Sequence, residues 1–325
     1  MTEMTMVKSL NLALRQEMES DETVLLLGED VGEDGGIFRV SEGLHESFGP
    51  DRVIDTPLAE SAIVGTALGM AIGGLRPIAE LQFMGFSYFA FHQIESHVSR
   101  YRWRSQGGMG ASMVIRMPYG AGVRALEHHS ESMEVFYSHI PGLKTVIPSG
   151  PRNARALLVS AIRDPDPVIF LEPKRSYRSI KEEVPEEEET LPIGVAELVR
   201  EGDDLTFVTY GAMLPAVLEV ADSLADDDVS SDVIDLRTIS PLDTDALEES
   251  VTKTGRAVVV TEAHPSFGPA SEIVARIVDR AFFYLEAPVE RVTGYDVPVP
   301  YFAREHDYVP GTDRIRAAAH RVLEV

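Results

Sequence analysis

The chain has 325 residues, 44% of them apolar, no cysteine and a formal net charge of −24. The length suits two domains of ordinary size, and the apolar share is enough to bury two cores. The absence of cysteine excludes disulfides, thiolate metal sites and cysteine nucleophiles, and a field of this sign repels nucleic-acid phosphate and anionic membranes.

The 29 basic residues divide into five lysines and 24 arginines. The acids are scattered, over 182–189, 203–204 and 226–228, rather than gathered in one patch. Scatter favours adaptation to molar salt, where the Debye length falls to about 3 Å, over a docking surface for a basic partner. It points to a salty cytoplasm such as that of halophilic archaea. The first twenty residues include Glu3, Lys8, Arg15, Glu17 and Glu19, which is no secretory pattern. The longest uncharged run, between Glu60 and Arg76, is too short to span a bilayer.

Val7, Leu10, Leu14 and Met18 recur at helical spacing and predict a first helix. An apolar run over 24–27, closed by Gly28, reads as a buried strand. The acidic, Gly-rich stretch 29–36 lacks the late glutamate of a calcium loop and reads as a plain loop. A strand over 53–55 leads into a helix over 59–74. A strand over 77–83 and a helix over 86–104 follow. Further strands are predicted at 112–117, 145–148 and 168–171, with a helix over 151–162 that has Pro151 at its start. This alternation implies an α/β domain with a mostly parallel sheet over 1–180. The acidic segment 181–192 reads as a linker. A second alternating series fills 193–325, with strands at 205–209, 233–236 and 257–260 and helices at 213–224, 266–284 and 313–323.

In open α/β sheets, functional residues collect at the carboxyl ends of strands. Asp55 to Glu60 leave a strand and open a helix, so Glu60 falls in a first helical turn. There it either only satisfies the helix dipole or carries chemistry. Gly65, Gly69 and Gly73 make one smooth face on that helix, suited to ordinary packing or to a tight subunit contact. His92, Glu95 and His97 lack the i, i+4 histidine pair of a helical zinc site and read as helix surface.

Several strings, in one order over nearly the whole chain, resemble the beta subunits of thiamine-diphosphate-dependent 2-oxo acid dehydrogenases. They are GED (28–30), DTPLAE (55–60), RPIAELQF (76–83), YRWRSQGG (101–108), HSES (129–132), HIPGLK (139–144), AIRDPDPVIFLEPK (161–174), IDLRTISPLD (234–243), SVTKTGR (250–256) and RVTGYDVPVP (291–300). The resemblance implies a transketolase-like fold, a pyrimidine-binding α/β domain followed by a transketolase C-terminal-like one. It implies that Glu60 hydrogen-bonds the aminopyrimidine ring of the cofactor, with Leu58, Gln82 and Phe86 lining that pocket. It places the active-site histidine at His129, the following Ser130 favouring it over His128. Glu131 stands where the family usually has Gln. It also implies a potassium loop at Ala161, Ile162, Asp164 and Asp166, formed by backbone carbonyls.

The chain has no Gly-Asp-Gly magnesium motif, and its two asparagines, Asn11 and Asn153, lie in no such setting. The resemblance therefore implies that an alpha subunit supplies the magnesium that anchors the diphosphate. The implied assembly has two alpha and two beta chains, with a beta–beta contact and a dihydrolipoyl acyltransferase core as further partner. Pyruvate, a branched-chain 2-oxo acid and acetoin remain open as substrates. A split transketolase-type half and a non-catalytic scaffold subunit are the other readings.

Overall fold

A computed structural model describes residues 1–325. The chain divides into two compact units, 1–119 with 136–193, and 120–135 with 194–325.

The first unit opens with strand β1 (Thr2–Thr5) and helix α1 (Met6–Ser20). Met6, Leu10, Ala13, Leu14 and Met18 all turn inward, as their three-and-four spacing requires. Six further strands pair in parallel: β2 (Val24–Gly28), β3 (Val53–Asp55), β4 (Arg76–Glu80), β5 (Val114–Tyr119), β6 (Lys144–Val146) and β7 (Val168–Pro173). Their spatial order is β6-β7-β5-β4-β2-β3. Every residue of β2, β5 and β7 is buried, which is why these strands read as mostly apolar runs rather than as alternation, with Arg116 in β5 and Glu172 in β7 as the charged exceptions. Helices α2 (Glu60–Ile72) and α3 (Pro151–Arg163) supply crossovers, and α1 packs along α3 in the core beside the sheet.

Two segments of this unit depart from the sequence reading. The region expected as one helix over 86–104 is broken into a 3₁₀ stretch (Met84–Ala90), a helical turn, a π segment (Ile94–Val98) and a last turn (Tyr101–Arg104). Ser87 and Ser99 turn their hydroxyls back on the carbonyls of Met84 and Glu95, competing with the regular ladder. The Ser99 amide bonds Ile94, five residues back, which is the wide π spacing. The acidic segment 181–192 is no free tether. Strand β8 (Lys181–Val184) pairs antiparallel with β1, and Arg152 and Arg163 of α3 bind Glu189 and Glu188 at 2.6 and 2.5 Å. Composition alone reads as a linker because it cannot reveal that Glu188 and Glu189 meet arginines of α3.

The second unit holds a five-stranded sheet. Its strands are β9 (Glu197–Arg200), β10 (Leu205–Thr209), β11 (Ser231–Asp235), β12 (Ala257–Val260) and β13 (Glu290–Val292), in the order β13-β12-β10-β11-β9. Only β9 runs antiparallel. Helices α4 (Leu214–Ala225), α5 (Thr244–Thr254), α6 (Pro269–Ala281) and α7 (Thr312–Leu323) cover it, with Val217, Val220, Ile315 and Val322 in the core. The segment 120–135, within the span expected as the first domain, groups with this unit instead.

Candidate active site

The parallel register sets Gly28 level with Asp55 on one side and Glu80 on the other. The loops that leave these strands therefore open at one edge of the first sheet. Asp55 pins the loop after β2 by accepting the amides of Gly32 and Glu33, at 2.6 and 3.2 Å. A Cβ on Gly32 would stand 2.5 Å from the Asp55 carboxylate, so a larger residue would push that carboxylate off the amides it accepts. Glu60 is the first residue of α2, and no side chain caps that helix. It is only 6% exposed. A buried carboxylate at a helix start is favoured by the dipole, yet burial to this degree exceeds what a surface cap requires.

Glu60 has acidic company that the sequence reading passed over. Burial pushes the Glu29 carboxyl above the usual carboxylate range, and the charges of Glu60 and Asp30 push it the same way. Asp30 in turn accepts a 2.9 Å hydrogen bond from Gln82 Nε2. Thr56 Oγ1 is buried with no hydrogen-bond partner. An unmet buried hydroxyl and a buried carboxylate suit a polar ligand better than an apolar one. Phe86 packs edge-on against Phe83, at 5.4 Å, and is half-buried. Leu58 is 79% exposed. The signal for Glu29 was present: an acidic pair directly after a buried strand, level with the strand end that precedes Glu60.

The adjacent histidines His128 and His129, in the second unit, differ. His128 is exposed and faces Glu127 at 3.3 Å, whereas His129 is half-buried. A short 3₁₀ turn (Glu127–His129) carries them, and the loop is closed at its base by the Gly120 amide donating to the Glu131 carbonyl, 2.8 Å. Glu127, Glu131 and Met133 form one wall of a cleft of about 420 Å³; His264, Asp296 and Val297 stand on the other.

Residues 2–180 match the transketolase pyrimidine-binding domain family, and 194–315 match the transketolase C-terminal domain family. The pyruvate dehydrogenase E1 component subunit beta of Bacillus subtilis is 49% identical over 324 residues, covering 100% of both chains. That of Acholeplasma laidlawii is 49% identical over 320 residues, covering 98% of each. The chain belongs to the pyruvate dehydrogenase E1 beta-subunit family. A split-gene transketolase, an inactive beta4 tetramer, superposes with a TM-score of 0.82 over 99% of this chain and 98% of that one, at 22% identity, which speaks for the fold alone. No helix is long and apolar enough to cross a membrane.

In this E1 beta-type chain the carbonyls of Ala161, Ile162 and Asp164, expected to hold potassium, already accept hydrogen bonds from the protein. The Ile162 carbonyl accepts from Arg76 at 2.9 Å, and the Asp164 carbonyl accepts from Ser112 at 2.6 Å. The Ala161 carbonyl accepts the Asp164 amide at 3.3 Å. Lys144 binds both Asp164 carboxylate oxygens, and Arg102 pairs with Asp166 and bonds the Pro165 carbonyl. Each of these cations faces a carboxylate, Arg76 that of Asp21, Lys144 that of Asp164 and Arg102 that of Asp166, so charge is balanced within the loop and its neighbours. His92 and His97 stack edge-on at 5.2 Å, and no group of three His, Cys, Asp or Glu side chains in the chain is arranged to hold a metal ion.

Proposed function

We propose that this chain is the beta subunit of a thiamine-diphosphate-dependent 2-oxo acid dehydrogenase, acting on pyruvate, and that it works with an alpha subunit. The observation that carries the reading is Glu60, a buried carboxylate at the start of α2, beside the proton-hungry Glu29 carboxyl. Thiamine diphosphate, when bound, would supply the electron sink that decarboxylation of a 2-oxo acid needs. Glu60 would accept a hydrogen bond from the aminopyrimidine ring and so hold a proton at its ring nitrogen. Its low-dielectric setting strengthens that bond. Thr56, Gln82, Phe86 and Leu58 are the residues of this chain that would face the ring. His129 manages a proton while the acyl group passes to a lipoyl group.

An alpha subunit holds the magnesium and the diphosphate in this reading, in an assembly of two alpha and two beta chains. The acidic surface of the second unit would receive a basic segment of the acyltransferase core. The charge of −24 and the scarcity of lysine support work in a cytoplasm of high salt. Pyruvate is preferred to branched-chain acids and acetoin because relatives at 49% identity over the full length are pyruvate dehydrogenase subunits.

The test is to co-express the chain with an alpha-type subunit and assay a panel of 2-oxo acids with thiamine diphosphate and magnesium in molar potassium chloride. Activity of the mixture, absent from either subunit alone and highest on pyruvate, is expected. Glu60→Gln in the same assembly should lose roughly 10²–10⁴-fold in kcat. Normal turnover by that variant would remove Glu60 from the mechanism.

A further inference from the structure

The loop that carries His129 begins with an unusual backbone. Gly120, Gly122 and Arg124 all have positive φ, at 86°, 97° and 57°. Alternation of left-handed with ordinary residues turns successive amides to one side and makes a concavity that attracts anions. Here the anions are internal. Glu262 accepts the Ala121 amide at 2.9 Å. Glu305 accepts the Gly122 amide on one carboxylate oxygen and the Arg124 amide on the other, at 2.9 and 2.7 Å. Both glutamates are 3% exposed. Glu262 follows β12, and Glu305 opens a short helix (Glu305–Tyr308) that precedes α7, so both are anchored in the second unit. A larger residue at 120 would be strained by the φ of +86° and would displace the Glu262 carboxylate, whose Oε1 its Cβ would approach to 2.5 Å.

Glycine takes many conformations besides this one, and Arg124 is held in a left-handed conformation that a residue with a side chain rarely adopts, so the loop needs outside bonds to keep its shape. Charge-assisted bonds from backbone amides to buried carboxylates are directional and strong, and they act on three residues, Ala121, Gly122 and Arg124, shortly before the turn that bears His129. The other end of the loop is tied by the bond from Gly120 to Glu131. His129 therefore stands where two carboxylates from distant parts of the chain put it. We propose that Glu305, aided by Glu262, is a positioning residue for His129. This rests on the role given to His129 above.

The charge matters as well as the shape. A glutamine at 305 offers one acceptor oxygen, and its NH₂ would face the second amide as donor against donor. Glu305→Gln should leave assembly and KM for the 2-oxo acid near wild type. It should lower kcat for acyl transfer between about 10- and 100-fold, the scale of a misplaced catalytic group. Glu305→Asp should recover part of the loss. Because Glu305 acts through His129, Glu305→Gln combined with His129→Ala should be no slower than His129→Ala alone. Hydrogen exchange of the Gly122 and Arg124 amides, measured in the intact assembly, should quicken in Glu305→Gln. Glu262→Gln is the companion variant should the first fail to assemble, with the Ala121 amide as its exchange probe. Losses that multiply in the double variant, or unchanged exchange, would overturn the positioning role. A wild-type assembly inactive on every 2-oxo acid would remove the functional reading and this role with it, while exchange would still report on the carboxylate clamp.

Discussion

Arg116 on β5 grips Glu172 on the neighbouring β7 through two parallel hydrogen bonds, Nε to Oε1 and Nη2 to Oε2, each 2.7 Å long. Its remaining nitrogen reaches Glu80 on β4, the strand on the other side, and Tyr177 donates to Glu172 at 2.5 Å. All four side chains are at most 4% exposed. Burial pushes the Glu80 carboxyl upward while Arg116 pulls it back. The network braces three central strands beneath the loop that precedes Glu60's own, since a Cβ on Gly36 of that loop would sit 3.1 Å from Glu80. Replacing Arg116 by Met strands two carboxylates in the interior and should cost about 3–5 kcal/mol in urea unfolding. Adding Glu80→Gln and Glu172→Gln should return much of that loss. A single variant as stable as wild type would mean the carboxylates find other partners.

Glu134 gives the second unit a pH dependence of known sign. Burial raises its carboxyl to about 7, the charge of Glu262 adds to the rise, and the hydrogen bond from Tyr210, 2.6 Å, opposes it. The unfolded chain, with a carboxyl near 4.5, loses this proton first. Raising the pH from about 4.5 to about 7 therefore favours unfolding, by on the order of 3 kcal/mol in full, with no further change from this group above 7. Glu134→Gln keeps an acceptor for Tyr210 and removes the ionisation. It should match wild type near pH 4.5 and exceed it at pH 8 in thermal midpoint. Equal midpoints at pH 8 would show that Glu134 ionises there at no cost.

Two glycines separate close packing inside this chain from a face left open. Gly142 has φ +93°, and a Cβ there would stand 2.2 Å from the Ser99 carbonyl oxygen. Gly142→Ala should destabilise by at least roughly 1–3 kcal/mol from the backbone conformation alone. Gly69 lies within α2 and would meet nothing within 4 Å. Gly69→Ala should stabilise the isolated chain by up to about 1 kcal/mol. If the smooth face of α2 receives another subunit, the same change should weaken assembly in analytical ultracentrifugation. Unimpaired assembly would leave that face without a subunit role.

Exchange of potassium for choline chloride at equal ionic strength should leave the thermal midpoint within about 1 °C. Arg76, Lys144 and Arg102 already occupy the polar groups of 162–166. A rise of several degrees specific to potassium would show that the ion displaces a protein cation.

Much of this protein was legible without coordinates. The period of the apolar residues set out α1, Pro151 marked the start of α3, the mostly apolar runs set out β2, β5 and β7, and the sequence showed Glu60 between a strand and a helix, because all of these are local patterns. The ordered strings marked the family for the same reason. What the tertiary structure decided depends on neighbours far apart in the chain. The register of β2 against β3 and β4 brings Glu29, Asp30 and Gln82 to the edge where Glu60 stands. Strand pairing with β1 and arginines on α3 turn an acidic stretch that reads as a linker into a strap. Arg76 and Ser112, remote in sequence, take the carbonyls that the resemblance reserved for a cation. Glu262 and Glu305 reach back across some 140 and 180 residues to shape the loop of His129. Hydrogen bonds and charge pairs act over a few ångströms, and only the folded chain says which groups come that close.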